Sequence, residues 1–189
     1  MASTRSVLRM VAAEQAQPAA VLQHVNSVLV EDFPDERFVT MVYGVLDPEK
    51  KTFTFANAGH FAPIVSSANG RGVVVDSDNG LPLGIFNQGF KETTVEMPNG
   101  TVLLLFSDGV TETVSASGEE YGLGRLCGSV TGEASIEKIL GDLKAFRGTA
   151  AARDDVSLVV VRSVASDRSF LDKISDTYHD IYHGHEGKS

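Results

Sequence analysis

The sequence predicts an α+β fold built on antiparallel sheets, and three observations carry that expectation. About seven short runs of strand-forming residues occur along the chain. Two pairs of them are joined by tight turns, and the helical-period segments gather before and after the strands instead of alternating with them, which disfavours a doubly wound βαβ arrangement.

Residues 4–31 read as helix, because Val7, Leu8, Met10 and Val11, and then Val21, Leu22, Val25, Val28 and Leu29, recur at helical spacing. Pro18 divides this segment: it has no N–H and restricts its predecessor, so Gln15-Ala16-Gln17 is a connection and Pro18 opens a second helix. Strand formers run from Arg37 to Asp47, and the turn Asp47-Pro48-Glu49-Lys50 leads into the alternating Thr52-Phe53-Thr54-Phe55-Ala56, a hairpin with one face in the core. Asn57-Ala58-Gly59-His60 breaks the alternation. A second hairpin joins Pro63-Ile64-Val65 to Val73-Val74-Val75 across Asn69-Gly70-Arg71-Gly72.

Gly80-Leu81-Pro82-Leu83-Gly84 has too many breakers for a strand and reads as a packed loop with buried leucines. Lys91 to Met97 alternates again, and Pro98-Asn99-Gly100 turns into Val102-Leu103-Leu104-Leu105-Phe106, a buried strand that ends in Ser107-Asp108-Gly109. Two helices follow over Leu123–Val130 and Ser135–Phe146, the latter with Ile136, Ile139, Leu140 and Leu143 on one face. The last strand is Val156 to Val161. Beyond Arg162 the composition turns polar, with Phe170, Leu171, Ile174, Tyr178 and Ile181 spaced for an amphipathic helix. The expected organisation is one domain over 1–163 and a polar tail over 164–189.

A length of 189 residues suits one domain with a substantial core. The formal charge of −9 argues against a surface that holds nucleic acid or anionic lipid, and acidic clusters that attract divalent cations remain compatible with it. Cys127 is the single cysteine and fits a small core residue in a reducing compartment. No apolar run approaches the roughly 20 residues of a membrane span, and the N-terminus lacks the apolar core of a secretory signal. A cytoplasmic location is the expectation.

Two acidic sites fall where strand meets loop: Asp108 after one apolar strand, and Asp154-Asp155 before another. If those strands are antiparallel neighbours, the ends lie side by side and hard oxygen ligands converge as Mg²⁺ or Mn²⁺ prefers, with Glu112 in reach. The plainer alternative is that Asp108 is a turn acid and Asp154 a cap paired with Arg153. His60, after Asn-Ala-Gly, is either a structural turn residue or a group with chemistry. His179, His183 and His185, spaced at four and two residues, either belong to a solvated tail or could bind a metal adventitiously.

Phe38-Val39-Thr40-Met41-Val42-Tyr43-Gly44-Val45-Leu46-Asp47, Ala56-Asn57-Ala58-Gly59-His60, Pro82-Leu83-Gly84, Phe106-Ser107-Asp108-Gly109-Val110-Thr111-Glu112 and Arg153-Asp154-Asp155-Val156-Ser157 occur in that order. Together they resemble the SpoIIE/RsbU-type bacterial serine phosphatases of the metal-dependent, type 2C-like (PPM) superfamily. The match runs from about Ser3 to Arg162. The resemblance implies a sandwich of two antiparallel β-sheets flanked by helices, with two Mn²⁺ or Mg²⁺ ions at one edge. It also implies a metal-activated water that attacks phosphoserine or phosphothreonine directly, so no side chain is assigned as nucleophile. Carried over by motif, Asp108 and Asp154 are metal ligands, and Asp155, Glu112 and Gly109 are neighbours of the site. The implied substrate is a phosphorylated anti-sigma-factor antagonist, with an upstream sensor domain or a homodimer as further partners.

The sequence departs from that family at one place. Members carry a Gly-Asp-Val-x-Gly segment before the first helix, whose Asp bridges both metals, and no such segment occurs in residues 1–189. Met1-Ala2-Ser3-Thr4-Arg5-Ser6 resembles the middle of that first helix, so the fold is expected to be N-terminally truncated relative to the family. Two readings follow: a phosphatase domain given without one metal-binding segment, or a catalytically incomplete phosphatase fold that acts as a protein-binding module.

Overall fold

A computed structural model describes residues 2–32, 37–132, 134 and 136–165. The chain begins with α1 (Ala2–Glu14) and α2 (Pro18–Asp32), divided at Pro18 as the missing N–H requires. Next come β1 (Met41–Asp47) and β2 (Thr52–Ala58), an antiparallel hairpin in register from Met41 opposite Ala58 to Asp47 opposite Thr52. Its turn is held by the Asp47 carboxylate, which accepts the N–H groups of Glu49 (3.1 Å) and Lys50 (2.8 Å) and pairs with the Lys50 ammonium. The Lys50 backbone N–H, first among these contacts, holds the Asp47 carboxyl below the usual carboxylate range.

The remaining strands are β3 (Ile64–Ser66), β4 (Val73–Val74), β5 (Asn79–Gly80), β6 (Glu92–Glu96), β7 (Val102–Phe106) and β8 (Leu158–Arg162). Between the last two lie α3 (Asp108–Thr111), α4 (Gly122–Ser129) and α5 (Ile136–Arg147). One sheet joins β1, β2, β6 and β5, and the other runs β4-β3-β7-β8. The expected second hairpin is β3 and β4. The 98–100 turn carries the chain from β6 in the first sheet to β7 in the second.

Three apolar layers make a helix–sheet–sheet–helix sandwich. Val11, Val21, Leu22, Val25 and Leu29 of α1 and α2 pack on Ala56, Ala58 and Leu83. Between the sheets lie Phe53, Phe55, Met97 and Leu103, while Ile64, Val102, Leu104 and Phe106 face Val110, Leu126, Ile139 and Leu143 on the helix side. Strand β7 therefore sends Leu103 to one layer and its two neighbours to the other, which is why its sequence is apolar without a break. Cys127 is a core residue of the helix side, as expected.

Four local expectations are corrected. The strand expected from Arg37 starts at Met41, because Val39 instead makes a lone bridge to Leu83. Strand β2 continues through Asn57 and Ala58, and β5 lies parallel to its end, the one parallel pairing among the described strands. Of the two leucines in the 80–84 loop, Leu83 is fully buried but Leu81 is 48% exposed. Asp108 opens the short helix α3. The amphipathic segment at 170–181 and the three tail histidines lie outside the described residues.

Candidate functional site

Strands β7 and β8 are antiparallel neighbours, with Phe106 opposite Leu158, so the end of one adjoins the start of the other. Ser107 fastens this junction. Its N–H donates to the Ser157 carbonyl (3.1 Å), its Oγ accepts the Ser157 N–H (3.0 Å), and the hydroxyl reaches the Asp155 carbonyl (3.3 Å). The loop that carries Asp154 and Asp155 is thereby tied to the residue before Asp108.

Gly109 shows how close the two segments come. A Cβ placed there would sit 2.3 Å from the Asp155 carbonyl oxygen and 3.5 Å from the Asp154 Cβ. The position is buried and needs glycine because backbone occupies the space a side chain would take. Asp108 and Asp154 consequently stand on facing segments, both exposed. One oxygen of each is engaged locally: Asp108 Oδ1 accepts the Gly109 N–H (2.9 Å) and Asp154 Oδ1 the Asp155 N–H (2.7 Å). Their other oxygens make no hydrogen bond or ion pair among the described residues.

The turn of α3 is set by its own side chains. Thr111 donates to the Asp108 carbonyl (3.1 Å) and Thr113 to the Gly109 carbonyl (2.7 Å), while the Glu112 N–H closes on Asp108 (2.9 Å). Glu112 is exposed and lines, with Asp154 and Gly109, a cavity beside the junction. Asp155 contributes its backbone to the clamp. The alternative pairing of Asp154 with Arg153 is not made.

Two carboxylates with free oxygens in an exposed setting fit one hydrated Mg²⁺ or Mn²⁺, which keeps several waters when few protein ligands are present. They do not make up a centre for two ions. Among the described residues no three His, Cys, Asp or Glu side chains gather where they could hold a metal.

His60 belongs to a different arrangement. The Asn57 side chain accepts the His60 N–H (2.9 Å) and donates to the His60 carbonyl (2.9 Å) and to Asn79 Oδ1 (2.8 Å), while His60 Nδ1 lies 3.2 Å from the Thr40 hydroxyl. These bonds close the turn after β2, which is the structural role for Asn-Ala-Gly-His. Arg147, missed in the sequence, is brought to the cavity from α5. Its only sequence signal is a base in a helix's last turn, a common feature that says nothing of a site.

The comparisons with known proteins agree with this fold. A family model described as Stage II sporulation protein E (SpoIIE) matches residues 1–164. The chain is 32% identical over 102 residues to "Phosphoserine phosphatase RsbU" of Bacillus subtilis (strain 168), a match that covers 53% of this chain and 30% of that one. It therefore spans less than a third of that relative's length. Among solved structures, the RsbU and RsbW domains of Rv1364c from Mycobacterium tuberculosis superpose with a TM-score of 0.71 at 22% identity, over 96% of this chain and 55% of that one. RsbX in complex with magnesium gives a TM-score of 0.62 at 18% identity, over 84% and 70%.

Proposed function

Because the chain belongs to the SpoIIE family and has the fold of PPM-type bacterial serine phosphatase domains, we propose that it is a metal-dependent serine/threonine phosphoprotein phosphatase domain. The observation that carries the reading is the placement of Asp108 and Asp154 on facing segments, with the Asp154 Cβ 3.5 Å from the place a Cβ on Gly109 would take. In this reading residues 1–163 form the domain, and its setting is cytoplasmic. Asp108 and Asp154 ligate Mn²⁺ or Mg²⁺, with Gly109, Asp155 and Glu112 as neighbours. Bound metal supplies a water of lowered pKa and neutralises charge on the phosphoryl group. The chain's own part is to leave one oxygen of each carboxylate without a hydrogen bond or ion pair among the described residues, open to a cation. RsbU is named a phosphoserine phosphatase, which supports a phosphoserine substrate; that the substrate is a phosphorylated anti-sigma-factor antagonist is what the family resemblance implies.

The test is Mn²⁺-dependent release of phosphate from a phosphoserine peptide by the chain and by Asp108→Asn. A loss of 10²-fold or more is expected wherever turnover is measurable, and equal rates sink the metal role. A second reading has its own support, since the described residues gather no third ligand. In that reading the domain keeps the fold and binds a protein partner without turnover. Turnover separates the two: Mn²⁺-dependent phosphate release by the parent chain that Asp108→Asn abolishes argues against the second.

A further inference from the structure

Beside Asp154 lies a cavity of about 100 Å³, bounded by Gly109, Glu112, the end of α5 and the 151–156 loop. That is the liquid volume of roughly three water molecules, room for one tetrahedral oxyanion and little more. Two arginines line it: Arg147 closes α5, and Arg153 directly precedes Asp154. The Arg147 Nε is buried and donates to no acceptor among the described residues. Neither arginine is paired with a carboxylate there, although Glu112 and Glu120 also line the cavity.

Arg125, on the neighbouring helix, shows what an occupied arginine looks like. It pairs with Glu119, donates to the carbonyls of Glu120 (2.9 Å) and Tyr121 (3.1 Å), and stacks 4.8 Å from the Phe146 ring centroid. Arg147, one residue beyond that ring, has none of this. A buried N–H without an acceptor is rare in a native protein and marks the place of a missing one. Guanidinium groups meet oxyanions through charge-assisted hydrogen bonds, and among the described residues no carboxylate of the cavity pairs with these two.

We infer that Arg147 and Arg153 hold a phosphate dianion, the phosphoryl group of the substrate or the inorganic phosphate it becomes, next to Asp108 and Asp154. The identity of the ligand rests on the phosphatase reading, while the orphaned donor and the cavity do not. With Glu112, Glu120 and Asp154 close by, three carboxylates oppose two guanidinium groups. The dianion is held weakly by the protein alone, and a divalent cation that offsets those carboxylates tightens it.

The experiment is a ³¹P NMR titration of the full chain with inorganic phosphate and with a phosphoserine peptide, each with and without Mg²⁺. Arg147→Lys keeps the charge and removes the Nε donor, Arg153→Gln removes a charge, and Lys50→Gln is a distant control. Both arginine variants are expected to weaken binding about tenfold or more while the control does not, with thermal unfolding unchanged to show that all fold. Loss for both ligands assigns the site to the phosphoryl group that substrate and product share, and loss for the peptide alone assigns it to the substrate. Equal binding by all four proteins, or no saturable binding by the parent chain in either condition, overturns the inference. Because the readout needs no turnover, absent phosphatase activity leaves this test standing, and absent phosphate binding leaves the roles of Asp108 and Asp154 standing.

Discussion

Gly109→Ala tests whether the junction between the Asp108 and Asp154 segments is as tight as it is built. The added methyl would meet the Asp155 carbonyl oxygen at 2.3 Å, and real Cβ contacts essentially never fall under 3.0 Å, so the two segments must part by about 0.7 Å. The obstacle is backbone, not the end of a flexible side chain, and three hydrogen bonds through Ser107 resist the movement. Overpacking of this kind costs about 1–3 kcal/mol. For a domain of this size each kcal/mol lowers Tm by roughly 2–4 °C. Two assays apply: urea unfolding for the stability change, and calorimetry for Mn²⁺, where separation of Asp108 from Asp154 weakens binding. A Gly109→Ala chain with parent stability and parent Mn²⁺ affinity would refute the reasoning, since the segments would then be looser than their geometry states.

Other perturbations follow from the same structure. Asn57 is buried and satisfies both backbone groups of His60, so Asn57→Ala should lose about 2 kcal/mol in urea unfolding by leaving the His60 N–H without its acceptor. Leu104 is fully buried on the helix side of β7, and Leu104→Ala is expected to lose about 2–5 kcal/mol, measured the same way. Burial pushes the Cys127 thiol up, against a smaller opposing effect of Arg71. The native chain should therefore react with a thiol reagent far more slowly than the unfolded chain at neutral pH. The sign for stability follows from a folded value above the unfolded one: the contribution is full below the ordinary thiol range and is lost as pH rises through the folded value. A comparison with Cys127→Ala between neutral and alkaline pH measures it.

The fold was legible wherever local pattern and tertiary environment agree. Pro18 divides the helices by its own covalent structure, and Asp47-Pro48-Glu49-Lys50 encodes its turn in one carboxylate. The unbroken run Val102–Phe106 announced a buried strand, and the apolar layers packed on its two faces bear that out. Strand β5 was hidden because two residues carry no period, and its pairing to β2 comes from the Asn57 and Asn79 side chains meeting across 22 residues. Leu81 and Leu83 look alike in sequence, and only the bridge from Leu83 to Val39 decides which is buried.

The site was legible in part for a similar reason. Asp108 and Asp154 each follow or precede an apolar strand, so their positions at strand ends are local facts. That their segments lie side by side depends on the antiparallel pairing of β7 with β8, and that Arg147 shares a cavity with Asp154 depends on where α5 ends. Glu112 sits one helical turn past Asp108, yet spacing alone does not bring it into a ligand set with Asp108 and Asp154. The bridging acid that the family resemblance calls for has no counterpart among the described residues.

The central claim is that Asp108 and Asp154 together make a cation site. Calorimetric titration of the chain with Mn²⁺, alongside Asp108→Asn and Asp154→Asn, tests it most directly. One weakly bound ion is expected for the parent chain, with loss of that binding in both variants. Unchanged Mn²⁺ binding in either variant would contradict it.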